Sequence, residues 1–151
     1  MNVEEYVIRE IFDTEIDVVN NLLNKLIKDE KKYDNNINYD YVVKEYYQNK
    51  IDDSVIFVAT KENEIVAYLF GYIVDSPVYI NKKAILDALY VEETHRQKGI
   101  AKKMITIFEE WCKKKNIDII ELTVCSQNNN SYNLYKRNGF DIIKHIMYKE
   151  I

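Results

Sequence analysis

Residues 84–114, AILDALYVEETHRQKGIAKKMITIFEEWCKK, decide how this chain is read. The aliphatic run 84–91 predicts a strand, a short polar connection follows, and a helix begins near Lys98 or Gly99. Ile100, Met104, Ile107, Phe108 and Trp111 recur at spacings of four, three, one and three, so one helix face is apolar and predicted to pack on a sheet. The junction itself is Arg96, Gln97, Lys98, Gly99, Ile100 and Ala101. A glycine and a small residue there let the backbone come close to a ligand, and the first N–H groups of the helix have no helical acceptor. Such a junction suits an anion, above all a phosphate.

Two nucleotide motifs that use the same physics do not fit. A phosphate loop of the GxxxxGK type needs its lysine after the glycine, and Lys98 precedes Gly99. A dinucleotide fingerprint needs three glycines, of which two are missing. The net charge of −4 argues against nucleic acid as a partner and weakly favours a cationic small substrate. At 151 residues, with 47% hydrophobic and 30% charged residues, the chain has the size and composition of one soluble domain, 1–151. The longest apolar stretch, 65–74, is about half of what a membrane helix needs, and the acidic start, Met1-Asn2-Val3-Glu4-Glu5, is no signal peptide. A cytoplasmic protein is expected. Cys112 and Cys125 make no metal-ligand pattern and read as packing residues, so no metal is expected.

Working outward, 5–12 alternates branched and aromatic residues with charges and predicts an opening strand. Thr14 offers a cap for a helix running to about Lys32 on Ile16, Val19, Leu22, Leu23, Leu26 and Ile27. An Asn-rich loop leads to a second helix over 39–50, built on Val42, Val43, Tyr46 and Tyr47. The runs 55–60 and 65–74 predict an antiparallel hairpin, and 119–125 a strand parallel to the central one across the helix. Asn128 opens a short helix that ends at Gly139, suited to a left-handed C-cap. Residues 140–143 and 146–149 predict a closing pair of strands. The expected fold is α/β (α+β), a mixed sheet of about seven strands flanked by about four helices, in the order β-α-α-β-β-β-α-β-α-β-β.

Arg96-x-x-Gly99-x-Ala101 resembles the pyrophosphate loop of the GCN5-related N-acetyltransferases (GNAT), which follows the fourth strand of that fold. A second motif, Asn128-x-x-Ser131-x-x-Leu134-Tyr135-x-x-x-Gly139-Phe140, is similar to the family's Asn-x-x-Ala-x-x-Leu-Tyr-x-x-x-Gly-Phe, with Ser131 in place of Ala. The element order is also the family's, so the resemblance spans essentially the whole chain. It implies an acetyl-CoA-dependent N-acetyltransferase in which the amine attacks the thioester directly within a ternary complex.

Acetyl transfer needs a neutral amine, a polarised carbonyl and a proton for the departing thiolate. A tyrosine phenol, of ordinary pKa about 10, is protonated at neutral pH and can supply that proton. By resemblance Tyr135 holds the position of the general acid; the alternative is an aromatic packing residue beside Leu134. The resemblance also implies that main-chain groups near Leu89, Tyr90 and Val91 bond the acetyl carbonyl and pantetheine arm, and that Asn128 reaches the pantetheine amide or simply caps its helix. Arg96, Gln97, Lys98, Gly99, Ile100, Ala101 and Lys102 would hold the pyrophosphate, with Ser131 and Lys136 along the outer groove. Lys98 and Lys102 read equally as a solvated helix face, and Lys103 as that alone. Asp87 is the first candidate for the base, with Glu92, Glu93 and water as rivals. His95 is expected to have no catalytic role.

By resemblance, acceptor choice is built from the region holding Tyr33, Tyr39, Tyr41, Tyr46 and Tyr47 with Asp29, Glu30, Asp34, Asp40 and Glu45. Aromatic faces with carboxylates suit a cationic amine, and these tyrosines read equally as core or dimer surface. A small-molecule amine or a peptide N-terminus is the expected acceptor, and family analogy implies a homodimer. The rival reading is an acyl-CoA-binding sensor or scaffold of the same fold.

Overall fold

The computed structural model describes residues 5–49 and 52–151. The chain runs β1 (Val7–Glu10), α1 (Ile16–Glu30), β2 (Ser54–Lys61), β3 (Glu64–Val74), β4 (Lys83–Val91), α2 (Ile100–Lys114), β5 (Ile120–Glu121) and α3 (Asn129–Arg137). One sheet has the order β1-β2-β3-β4-β5, antiparallel up to β4 and parallel between β4 and β5.

Period-two alternation sorts the sheet's side chains into two cores. Val55, Phe57 and Ala59 of β2 face α2, and Ile56 and Val58 face α1. Both faces of β2 are therefore covered, and its six residues 55–60 are all buried. Helix α2 buries Ile100, Met104, Ile105, Phe108 and Cys112; each large aliphatic or aromatic side chain so buried contributes about 1.5–3 kcal/mol. Ile107 and Trp111, expected on the buried face, pack at its margin. Between β2 and β3, Glu62 and Asn63 both adopt positive φ, 52° and 66°. A two-residue turn of that kind matches the strand twist of a hairpin.

The β3–β4 ladder slips once. Phe70 pairs with Ala88 and Gly71 with Leu86, leaving Asp87 as the extra residue of a bulge. Its effect on packing is visible. Ala84 and Leu86 face the α2 core, whereas Ala88 and Tyr90, an even number of residues on, face the α1 core. Across from the bulge, a Cβ on Gly71 would stand 2.3 Å from Phe108 Cζ and 3.0 Å from the Ile85 carbonyl oxygen. Only glycine lets Phe108 pack there.

The α+β class and the mixed sheet agree with the sequence reading; three parts of it do not. The described residues form five strands and three α-helices rather than about seven and four. The helix expected over 39–50 is absent from residues 39–49, and Lys50 lies outside the described residues, as do 1–4 and Ile51. In its place two asparagines of α1 satisfy the backbone. Asn24 Oδ1 accepts from the Val43 N–H (2.7 Å) and its Nδ2 donates to the Val43 carbonyl (2.9 Å). Asn20 Oδ1 accepts from the N–H groups of Tyr46 and Tyr47 at 3.3 and 3.2 Å. Local helical bonds lose to these tertiary ones, because a buried N–H needs only one good acceptor. The closing strands at 140–143 and 146–149 are also absent, and residues 141–151 are exposed throughout. Among the described residues they pair with no strand of the sheet.

Candidate active site

β4 and β5 pair only through Ala84–Ile120 and Ile85–Glu121, then part. From Leu86 to Val91 the side of β4 turned towards β5 carries no ladder, which leaves main-chain groups on that edge open to a ligand, apart from the Val91 carbonyl, which accepts from Arg96. Leu89, Tyr90 and Val91, expected at the acetyl carbonyl, lie on this stretch.

Beyond it comes the junction. Gly99, the residue capping α2, has φ 82°, and Gln97 is also in the left-handed region at 61°. No side chain caps α2, and the first intrahelical bond there runs from the Lys103 N–H to the Gly99 carbonyl (3.1 Å). The N–H groups of Ile100, Ala101 and Lys102 are thereby available for an anion, as an uncapped helix start requires. Arg96 turns elsewhere: its Nε donates to the Val91 carbonyl (2.8 Å) and its Nη2 to Asp29 (2.9 Å). It ties the end of β4 to α1. The other cationic residues of this stretch are Lys98, half-buried, and Lys102, exposed.

Tyr135 sits on α3, whose end is fixed by a Schellman motif. The Phe140 N–H donates to the Tyr135 carbonyl (3.0 Å) and the Gly139 N–H to that of Lys136 (3.2 Å), with Gly139 at φ 90°. This turn brings the Phe140 ring edge-on to Tyr135, centroids 5.8 Å apart. Burial pushes the Tyr135 phenol up to about 12, with a smaller contribution from the negative charge of Glu30. The phenol therefore holds its proton across the neutral range. Asn128 caps α3, its side-chain oxygen accepting from the Ser131 N–H at 3.3 Å. Lys136 pairs with Asp141 at 2.9 Å.

Sequence alone groups Glu30 only with the acidic residues of the acceptor region, and the structure gives it a central position. With Asp87 it lines a cavity of about 270 Å³, whose walls include Leu26, Ile27, Tyr41, Tyr46 and Ala88. Both carboxylates keep an open side to water, yet the protein packed around them raises both pKa values. For Glu30 the desolvation is reinforced by the neighbouring charges of Asp87, Asp34 and Asp29. A signal for this exists in the sequence: Glu30 follows Leu23, Leu26 and Ile27 on the apolar stripe of α1, where a carboxylate is unusual. Of the rival bases, Glu92 is paired with Lys25 and Glu93 is exposed past the strand. His95 accepts or donates through Nδ1 to the Tyr6 hydroxyl at 2.9 Å, a structural contact.

Among the described residues no group of three or more His, Cys, Asp or Glu side chains could hold a metal, and no helix is long and apolar enough to cross a membrane.

A family model described as the acetyltransferase (GNAT) family matches residues 20–140. No functionally curated protein matches the sequence. Solved structures do. A single-residue mutant of the BH1408 protein from Bacillus halodurans is 22% identical, covering 96% of this chain and 99% of its own, at a TM-score of 0.86. A predicted acetyltransferase with acetyl-CoA from Clostridium acetobutylicum is 23% identical over 96% of both chains, at 0.78. An aminoglycoside acetyltransferase, meta-AAC0020, from an uncultured soil metagenomic sample is 16% identical over 99% of both, at 0.75. At these identities the likeness is one of fold.

Proposed function

Because this chain belongs to the GNAT acetyltransferase family, matched over residues 20–140, we propose that it transfers the acetyl group of acetyl-CoA to a small cationic amine. One observation carries this reading. The opening between β4 and β5 has the uncapped start of α2 at its β4 end, and the two parted strands lead on to α2 and α3. The residues suit the coenzyme: free N–H groups and a glycine in the left-handed region favour a pyrophosphate, and an unpaired strand edge favours an amide-bearing arm. Acetyl-CoA, when bound, supplies the activated acetyl group as a thioester.

The chain's own residues would do the rest. Ile100, Ala101 and Lys102 donate main-chain N–H bonds, with Lys98 adding charge and Gly99 and Gln97 shaping the backbone. The free edge of β4 at Leu89, Tyr90 and Val91 orients the acetyl carbonyl. Asn128 and Ser131, at the start of α3, with Lys136, border the outer groove. Asp87, re-aimed by the bulge, takes a proton from the acceptor ammonium directly or through water. Glu30 holds positive charge beside it, and two carboxylates in one cavity favour an acceptor with more than one amino group, such as a diamine or amino sugar. Tyr135, whose proton is retained at Oη until needed, passes it to the departing sulfur. Whole-chain catalysis in a ternary complex needs no covalent acetyl-enzyme.

Calorimetry of acetyl-CoA binding, followed by thiol release against diamines, polyamines, aminoglycosides, amino acids and short peptides, tests the reading. Binding with turnover on a multiply charged amine is expected. Binding with no turnover on any acceptor would favour a sensor or scaffold, and no binding would remove the coenzyme assignment.

A further inference from the structure

Four residues outside the cavity of Glu30 and Asp87 form a polar cluster at the closed end of the β4–β5 opening, where the two strands still pair. Lys83, the first residue of β4, donates to Glu121 of β5 at 2.7 Å, and its Nζ stands 3.7 Å from the centroid of the Tyr79 ring. Lys144, in the segment after Phe140, donates to the Tyr79 hydroxyl at 3.1 Å. Hydrogen bonding to Lys144, then to Lys83, holds the Tyr79 phenol below its ordinary pKa. The charges of the cluster do not cancel. Two ammonium groups share the one carboxylate of Glu121, and among the described residues Lys144 has no acidic partner. Lys144 has two further N–H groups to give, and the Tyr79 oxygen that accepts from it keeps its own O–H. A single carboxylate would satisfy these donors with charge-assisted bonds. Glu121 Oε1 takes Lys83, which leaves Oε2 for an ammonium.

The cluster lies on the same face of the sheet as that cavity. Tyr72, Ile85 and Glu121 stand opposite one another on β3, β4 and β5, and Tyr72 packs on the α1 core, so the whole row is on the α1 face. Burial raises the Tyr72 phenol's pKa, and the charges of Asp87 and Glu121 raise it further. Tyr72 thus spans the interval between the two. In meeting Glu121, Lys83 Nζ comes level with Ile85, two residues before Asp87, or about 7 Å along the strand. At roughly 1.2 Å per bond of an extended chain, the carboxyl carbon and side-chain nitrogen of free lysine are also about 7 Å apart.

Building on the acetyl-transfer reading, we propose that the acceptor is a free diamino acid: its carboxylate at Lys83, Lys144 and Tyr79, its α-ammonium at Glu121, and its side-chain amine at Asp87 and Glu30. Such a molecule has the two amino groups and the net positive charge that the cavity favours. It adds an anionic anchor that a plain diamine or an amino sugar lacks, and the cluster therefore discriminates among amines of equal reach.

Lysine and cadaverine differ only by the carboxylate, so calorimetry with each, in the absence and in the presence of coenzyme A, isolates the anchor. Lysine is expected to bind about tenfold tighter than cadaverine. Lys144→Met, at an exposed position, and Tyr79→Phe, which keeps the ring, should each weaken lysine severalfold and leave cadaverine unchanged. Equal affinities in the wild type, tighter binding of cadaverine, or no binding of either would overturn the proposal, and so would a preference for lysine that survives both substitutions. The comparison needs no turnover. A chain that binds acetyl-CoA and treats the two ligands alike loses the diamino acid and keeps acetyl transfer to another amine, whereas a chain that prefers lysine and binds no acetyl-CoA keeps the anchor and loses the coenzyme assignment.

Discussion

Glu30, the last residue of α1, and Asp87, the extra residue of the β4 bulge, line one cavity. They reach it from opposite directions. Glu30 ends α1 in line with its apolar stripe yet stays exposed, and the slip opposite Gly71 lets Asp87 interrupt a strand whose neighbours Leu86 and Ala88 are both buried. Asp87's charge disfavours ionisation of Glu30, and positive charge placed in the cavity would relieve it.

This coupling gives a pH prediction. Burial raises the pKa of both groups, and Asp87's charge raises that of Glu30 further. A base must be deprotonated to act, so the acidic limb of kcat/KM should lie above the ordinary carboxylate range. Asp87→Asn removes the base and lowers the Glu30 pKa by removing a like charge. NMR titration of Glu30 in that variant should move downward; an unmoved titration would show that the two groups do not interact.

Glu30 also links pH to stability. Its folded pKa lies above its unfolded one, so the unfolded state loses its proton first and stability falls as pH rises through the interval between them. Glu30→Gln should therefore be the more stable chain at neutral pH, with the advantage vanishing below the unfolded carboxylate pKa of about 4. Denaturant unfolding at both pH values measures it; an advantage that persists in acid would need another cause.

Gly99 occupies φ 82° at the start of α2. A β-branched residue there costs about 1–2 kcal/mol, and relaxing that strain moves the N–H groups the pyrophosphate would use. Gly99→Val should weaken acetyl-CoA binding by about tenfold or more. Calorimetry returning the wild-type affinity would place the coenzyme elsewhere.

Gly71→Ala pushes a methyl group into Phe108 and should destabilise the chain by about 1–3 kcal/mol, the usual cost of overpacking. Phe108→Leu makes room. In a double-mutant cycle the second change should recover part of the loss, and strict additivity would mean that the two residues do not meet.

Gly139→Ala meets nothing within 4 Å, so its cost is conformational, about 1 kcal/mol for leaving glycine's left-handed region. Since that turn sets Tyr135 against Phe140, turnover should fall while the KM for acetyl-CoA stays nearly constant. Thermal melting and steady-state kinetics on the same preparation separate the two effects.

Much of this is legible in the residues. Strong period-two and helical patterns locate β2, β3, β4 and α2 to within a residue or two, because each buries a continuous face. Gly139 announces its C-cap, since few other residues adopt φ 90° without strain. The pattern over 39–50 misleads because Asn20 and Asn24, far off in sequence, satisfy that backbone. The closing strands mislead for a related reason: composition reports willingness to form a strand, while a strand exists only where it pairs, and among the described residues 140–149 pair with none. Within the site, Asp87 stands out as a carboxylate in an apolar strand, but the bulge that aims it is a slip in pairing with β3 opposite Gly71, which the residues of β4 alone do not reveal. Arg96 shows the limit of a motif, which names a residue without saying that Asp29 holds its side chain.

Turnover of Tyr135→Phe beside the wild-type chain, at saturating acetyl-CoA and on the best amine of the panel, tests the account most directly. Loss of the phenolic proton, held at a pKa of about 12, should lower kcat by about 10²-fold or more, with acetyl-CoA affinity unchanged and the fold intact. Equal turnover by the two proteins would contradict it, leaving Tyr135 a packing residue and the departing sulfur with another source of its proton.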